Sequence, residues 1–316
     1  MIAVTGAHGF VGQAVLRRLA GAGLEAAGIV RRAGAVPIAR EWAFDATDFA
    51  GIGAAWPTWL RCDVVIHLAA RVHVMDDHEA NPLTAYRRTN VEGTLRVAQA
   101  AREIGARRFV YVSSIKAVGE SSSGRPPLGE RDAPRPLDPY GRSKREAELA
   151  LAEFGARTGM DIVIVRPPLV YGPGVRANFL RLMDAVSRRV PLPLGAIEAR
   201  RSLVFVDNLA DALVRCAIDA PAAGQLFHVA DAHDPGVAEL VRLIGEALEI
   251  RPRLIPVPES WLRAAGRLIG RSAQVDRLAG ELRLDTRHIQ SVLGWRPPFT
   301  LEAGLRETAR WYRDTH

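Results

Sequence analysis

Tyr140 and Lys144 stand four residues apart in YGRSK, inside a pattern that predicts a helix over 138–158. That spacing puts both side chains on one helix face. A tyrosine has an ordinary pKa of about 10 and is a poor base near neutrality. A cation about 4 Å away is worth roughly 4 kcal/mol at an effective dielectric near 20. That gross effect equals about three pKa units, with desolvation opposing it. Lys144 is therefore expected to bring Tyr140 into the range for proton transfer. A second chemical group lies in SSIKAVG (113–119), where the apolar run FVYV ends in two hydroxyls. Ser114, or Ser113 one residue earlier, could hydrogen-bond a reacting oxygen. The plainer reading is a serine that caps a turn at a strand end. Lys116 and Lys144 are the only lysines among 42 basic residues, so each asks for a reason.

A third element is TGAHGFVG (5–12), with Gly6, Gly9 and Gly12. It follows an apolar strand and opens an amphipathic stretch to about Ala22. In that setting backbone N–H groups and a helix N-terminus face a pyrophosphate, and side chains at the glycines would obstruct it. Phe10 and Val11 belong to the same turn, and His8 lies near the phosphates. The spacing is GxxGxxG, unlike the GxGxxG of many dehydrogenases.

These groups need a scaffold. Strands are expected at IAVT (2–5), GIVR (28–31), DVVIHLAA (63–70), RRFVYVSS (107–114) and DIVIVRP (161–167), with a helix from about 81 to 104. Apolar strands alternating with helices predict an α/β fold, a Rossmann-like doubly wound parallel sheet covered on both faces. The segment 121–139 is rich in proline and glycine and reads as a functional lid or a mobile loop. The last third is broken by PLPLGA (191–196) and RPRLIPVPES (251–260), with helical patterns at 236–249 and 301–313. It predicts a smaller, irregular C-terminal lobe. SLVFV (202–206) and QLFHVA (225–230) are expected to rejoin the main sheet. The boundaries are then 1–170 with about 202–232 for the dinucleotide domain, and 171–201 with 233–316 for the lobe.

Composition narrows the function class. The chain has 316 residues, 48% hydrophobic and 24% charged, with a net charge of +7 and no basic run of the kind that marks nucleic-acid tails. An anionic small ligand suits that balance equally well. Cys62 and Cys216 lie far apart, which speaks against a disulfide framework and a zinc site and fits a reducing compartment. Apolar structure begins at Ile2, and no run approaches the roughly 18–20 residues of a membrane span. The expectation is a soluble cytoplasmic protein with no metal and no membrane insertion.

HLAA (67–70), TNVEGT (89–94), VSS (112–114), YGRSK (140–144), RPPLVYGPG (166–174) and RSLVFVDNLADA (201–212) occur in an order that resembles the extended short-chain dehydrogenase/reductase family of nucleotide-sugar epimerases, dehydratases and ketoreductases. The resemblance spans nearly the full length. It implies that Tyr140 passes a proton to or from a sugar hydroxyl, that Lys144 also bonds a nicotinamide ribose, and that Ser114 holds the reacting oxygen. It places Gly6, Gly9, Phe10, Val11, Gly12, Asn90 and Pro167 at the cofactor. Asp45 and Ala46 resemble the adenine-contacting pair, and Leu68, Ala69 and Ala70 the segment beneath the diphosphate.

The second strand ends Val30-Arg31-Arg32, where NAD-specific sites usually carry an acid. Arginine suits a 2′-phosphate, so NADP(H) is favoured over NAD(H). Nucleotide-sugar 4,6-dehydratases carry an acid pair just after the catalytic hydroxyl, where this chain has Ile115 and Lys116. Dehydration is therefore disfavoured, and Lys116 is expected to contact a substrate oxygen or phosphate. The resemblance puts Asn178, Leu192 and Leu194 of the PLPLG run, Arg201 and Arg277 near a nucleoside diphosphate. His67 reads as structural.

The favoured function is reduction of a UDP-linked 4-keto-6-deoxy-N-acetylhexosamine for bacterial surface polysaccharide, of the UDP-N-acetylquinovosamine dehydrogenase type. RVHVM, SSIK and RPPLVYGPGVRANF resemble that group. A UDP-hexose 4-epimerase holding NAD is the alternative, followed by a hydroxysteroid or flavonoid-type reductase. A non-catalytic cofactor sensor is the rival from another class. Homodimerisation is an analogy with the family.

Overall fold

The computed structural model describes residues 1–34, 40–72, 81–268, 270 and 279–316. Seven strands form one parallel sheet: Ile2–Thr5 (β1), Ala26–Val30 (β2), Arg40–Ala43 (β3), Val64–His67 (β4), Arg108–Val112 (β5), Asp161–Arg166 (β6) and Leu226–His228 (β9). Their order is β3-β2-β1-β4-β5-β6-β9. Apart from the edge strand β3 and the charged ends of β5 and β6, the strands are largely apolar because both faces are covered. Val4, Ile66 and Val110 pack into one core, while their neighbours Ala3, Val65 and Phe109 pack into the other. The strand order reverses beside β1, so the crevice at the C-terminal ends of β1 and β4 is the natural ligand site of such a sheet. The Rossmann-like expectation describes this architecture.

Three local expectations change. SLVFV does not rejoin the main sheet. Its core Leu203–Phe205 (β8) pairs in parallel with Leu169–Tyr171 (β7) as a separate two-stranded sheet. The edge of β6 is taken by β9, from QLFHVA. The helix expected over 81–104 is interrupted. Pro82–Arg87 (α3) runs into a π-helical turn, Arg88–Gly93, before Thr94–Glu103 (α4). Asn90 turns inward from the widened segment, and a Cβ on Gly93 would lie 3.1 Å from the Asp48 carbonyl oxygen. Such insertions are frequent at functional sites.

The segment 121–139 is a fixed wall rather than a lid. Ser122 N–H donates to the Glu281 carbonyl (2.7 Å), Leu128 N–H to Arg283 (2.7 Å), and Asp285 N–H back to Leu128 (2.8 Å). Leu128 is buried against Ile115, Val118 and Leu284.

Two buried histidines link this core to pH. His67 lies between the hydroxyls of Thr5 (2.8 Å) and Thr94 (3.1 Å), and burial, with Lys144 adding, pushes it down to about 3. It is structural, as its place at a strand end implies. The His228 ring meets the Leu128 carbonyl at 3.0 Å, and burial, followed by Arg166, pushes it down to about 4. An unfolded histidine titrates near 6.5. The folded values lie below that, so the unfolded chain binds more protons. Stability is then lost as pH falls below about 6.5, until each folded value is passed. Each ring contributes at most about 1.4 kcal/mol per pH unit. The melting temperature is expected to fall between pH 7 and pH 4, less steeply in His228→Gln. Equal slopes in the two proteins would show that His228 is not held neutral.

Candidate active site

The glycine turn joins β1 to the helix Phe10–Gly21 (α1). Gly6 has φ +65°, and a Cβ there would lie 2.9 Å from the Ala69 nitrogen. A Cβ on Gly12 would overlap the Gly6 carbonyl oxygen and lie 2.7 Å from the Ala7 Cα. The three glycines thus bring the start of α1 down onto the strand ends. Thr5 Oγ1 accepts from the N–H groups of Leu68 and Ala69, both at 3.2 Å, which ties β1 to the segment after β4. No side chain caps α1 and its first turn holds no acid. Phe10, Val11 and Gly12 therefore present first-turn N–H groups, an arrangement that fits an anionic diphosphate. Asp45 and Ala46 follow β3 at the same sheet edge. Arg31 and Arg32 follow β2 and are exposed. An acid is nevertheless present there: Glu41 on β3 accepts from Gly34 N–H at 2.5 Å. It comes from β3 rather than from the end of β2.

Ser114, Tyr140 and Lys144 converge beyond β5. Helix Pro139–Thr158 (α5) starts at a Pro and is capped by Asp138, which accepts from Gly141 N–H at 2.7 Å. Ser114 Oγ accepts from Lys116 N–H at 3.2 Å and is hydrogen-bonded to the Tyr140 hydroxyl. Ser113 is excluded from that role, because it is buried and donates to Glu148 at 2.6 Å. Lys144 Nζ donates to the Val112 carbonyl at 2.8 Å. It lies 4.6 Å from the Tyr111 ring centre and 6.0 Å from that of Tyr140.

The expected lowering of the phenol is not what this geometry produces. Burial raises Tyr140 above its ordinary range, Asp138 and Tyr86 add to that, and the Ser114 hydrogen bond opposes it. Lys144 is itself pushed down by burial, against the pull of Glu148, to about 7. Here the ammonium is turned to the Val112 carbonyl and the Tyr111 ring rather than to the phenol.

Glu148 was missed in the sequence. It lies one turn beyond Lys144 and accepts from Arg166 on β6 (2.7 and 2.6 Å) and from Arg145 (3.0 Å). An arginine closing the apolar run DIVIV was the available signal. Asn90, expected at the cofactor, braces the segments around it. It is fully buried, exchanges two hydrogen bonds with the Arg71 backbone (2.8 and 3.0 Å), and donates to Ser143 on α5 (3.0 Å). The Pro167 carbonyl accepts from Ile115 N–H at 3.0 Å and fixes the turn after Ser114.

Lys116, expected at a substrate oxygen or phosphate, faces two carboxylates. Its ammonium meets Asp138 at 2.6 Å and Glu120 at 3.7 Å, so carboxylates already engage the charge expected for a substrate. Arg201 comes to the same region, where burial lowers its pKa and Glu120 opposes. Asn178 is exposed at the start of helix Ala177–Ser187. Leu194 packs into the main core, and Leu192 lies partly buried, its backbone bonded to Arg253 and Ile255. Arg277 and His73 lie outside the described residues. Among the described residues, no three His, Cys, Asp or Glu side chains are grouped to hold a metal, and no helix is long and apolar enough to cross a membrane.

Residues 2–230 match the NAD dependent epimerase/dehydratase family. The chain belongs to that family. Among its relatives is a UDP-glucose 4-epimerase of Vibrio cholerae, 46% identical over 248 residues, 78% of this chain and 76% of that protein. A GDP-6-deoxy-D-mannose reductase of Pseudomonas aeruginosa is 25% identical over 314 residues, 96% of this chain and 94% of that one. A solved structure of MoeE5 in complex with UDP-glucose and NAD is 26% identical, covers 99% of both chains and has a TM-score of 0.77.

Proposed function

We propose that this chain moves a hydride between C4 of a UDP-linked hexose and a nicotinamide, with Tyr140 carrying the proton of the C4 oxygen. The observation behind this reading is the convergence of Ser114, Tyr140 and Lys144 on the sheet edge that also carries the glycine turn. A bound nicotinamide supplies the hydride acceptor or donor. The first turn of α1 would hold its diphosphate, and Arg31, Arg32 or Glu41 its adenosine ribose. With a nicotinamide bound to take the hydride of C4, Tyr140 as phenolate would accept the proton of the C4 oxygen. Ser114 holds the oxygen in line, and Lys144 stabilises the phenolate. Dehydration has little support, since Ile115 is packed in a core and Lys116 engages the nearby carboxylates.

Two net reactions share that step. Ketone reduction is favoured by the SSIK segment and by Arg31 and Arg32. Epimerisation is favoured by the name of the Vibrio cholerae relative and by Glu41 beside the β2 loop. The deciding experiment offers the protein UDP-glucose, UDP-N-acetylglucosamine and a UDP-4-keto-6-deoxy-N-acetylhexosamine, with NADH or NADPH. Absorbance and product stereochemistry are followed together. Stoichiometric consumption of reduced cofactor, giving one 4-hydroxy epimer, is the reductase outcome. Gluco–galacto interconversion on retained NAD is the epimerase outcome. Tight cofactor binding with no turnover of any nucleotide sugar would overturn both in favour of a binding protein.

A further inference from the structure

Lys116 lies in the 3-10 turn Ile115–Ala117, whose cap is Ser114. Its ammonium closes on Asp138 Oδ2 at 2.6 Å, while Asp138 Oδ1 accepts from Gly141 N–H at 2.7 Å. One carboxylate thus holds both the turn that begins at Ser114 and the first turn of the helix that carries Tyr140. Backbone packing closes the same joint. A Cβ on Gly141 would overlap the Lys116 carbonyl oxygen and lie 3.2 Å from Asp138 Oδ1.

We propose that the Lys116–Asp138 pair is a positioning device for Tyr140, locking the Ser114 turn to the start of α5 and offsetting a carboxylate two residues before the phenol. The proposal rests on Tyr140 being the proton carrier. The groups that face the phenol are Tyr86 from α3, Tyr111 from β5, Ser114 ahead of the 3-10 turn, Asp138 at the cap of α5 and Lys144 on that helix. Arg71 lies over Tyr86, and Glu120 faces Lys116. Asp138 is the carboxylate among them that opposes ionisation of the phenol. Lys116 is partly exposed, so removing its charge is expected to move the phenol by about one pKa unit rather than more.

The test is a cycle of Lys116→Met, Asp138→Asn and the double variant. Asparagine keeps an oxygen to cap Gly141. In C4 oxidation of whichever nucleotide sugar is turned over, Lys116→Met should raise the acid limb of kcat by about one pH unit. Its rate at pH 7 should fall about tenfold, with KM nearly unchanged. The double variant should return the limb to its original place. A raised KM with an unmoved limb would make Lys116 a substrate contact instead. Equal loss in the single and double variants would reduce the pair to packing. A second readout needs no turnover: 3,5-difluorotyrosine at position 140, a more acidic phenol, titrated through its fluorine resonance. The Lys116→Met shift and its reversal by Asp138→Asn are expected there too, and an unmoved titration overturns the proposal. If no nucleotide sugar reacts, the functional reading fails while this titration still decides the pair.

Discussion

Tyr140→Phe should lower turnover by about 10²–10⁴-fold while leaving the fold and cofactor affinity nearly unchanged. The substitution deletes one hydroxyl. The ring stays, and with it the edge contact to Tyr86 at 6.1 Å between centroids. What is lost is the hydrogen bond to Ser114 and the atom that exchanges the proton of the C4 oxygen. No other described group stands ready to replace it. Lys144 is bonded to the Val112 carbonyl, and the Ser114 oxygen already accepts from Lys116 N–H. Binding of nicotinamide cofactor, read by fluorescence, should match the parent. More than about a tenth of the parental rate would remove Tyr140 from proton transfer. A loss confined to KM would make it a substrate contact.

What the sequence makes legible here is short-range. The glycine turn, the Asp138 cap, the α5 helix and the spacing of Tyr140 and Lys144 all depend on residues within a turn or two of each other. The alternation of strand and helix fixed the sheet for the same reason. The departures are pairings between distant segments. Lys116 meets Asp138 from 22 residues away. Lys144 turns to Val112 and Tyr111 on β5, which helical spacing alone cannot reveal. The wall 121–139 looked like a lid because proline and glycine signal an irregular path. Its partners at 281–285 lie some 150 residues on. The π turn that buries Asn90 depends on Asp48, Arg71 and Ser143, from three other segments. Leu194 read as part of a ligand-facing run because PLPLG carries no sign of which side faces the core.

The second large effect concerns the floor beneath Lys144. Glu148→Ala should destabilise the protein by about 3–5 kcal/mol, because it leaves Arg166 as an uncompensated buried cation. Both side chains are 1% exposed, and the guanidinium forks onto the carboxylate at 2.7 and 2.6 Å. Arg145 and Ser113 would lose their acceptor as well. A drop in melting temperature on the order of 10 °C follows. Glu148→Leu with Arg166→Met should regain most of that stability, since an apolar replacement removes the stranded charge along with its partner. Turnover should not return with it. Glu148 is the group that opposes the effect of burial at Lys144, which stands at about 7. Without that carboxylate Lys144 falls further, and less of it is an ammonium at neutral pH. The double variant should therefore be stable yet slow at neutral pH. Thermal melts and pH–rate profiles of the parent, single and double variants separate the two roles. A double variant that recovers both stability and rate would confine Glu148 to holding the fold. One that stays as unstable as Glu148→Ala would show that the ion pair contributes more than relief of its own burial.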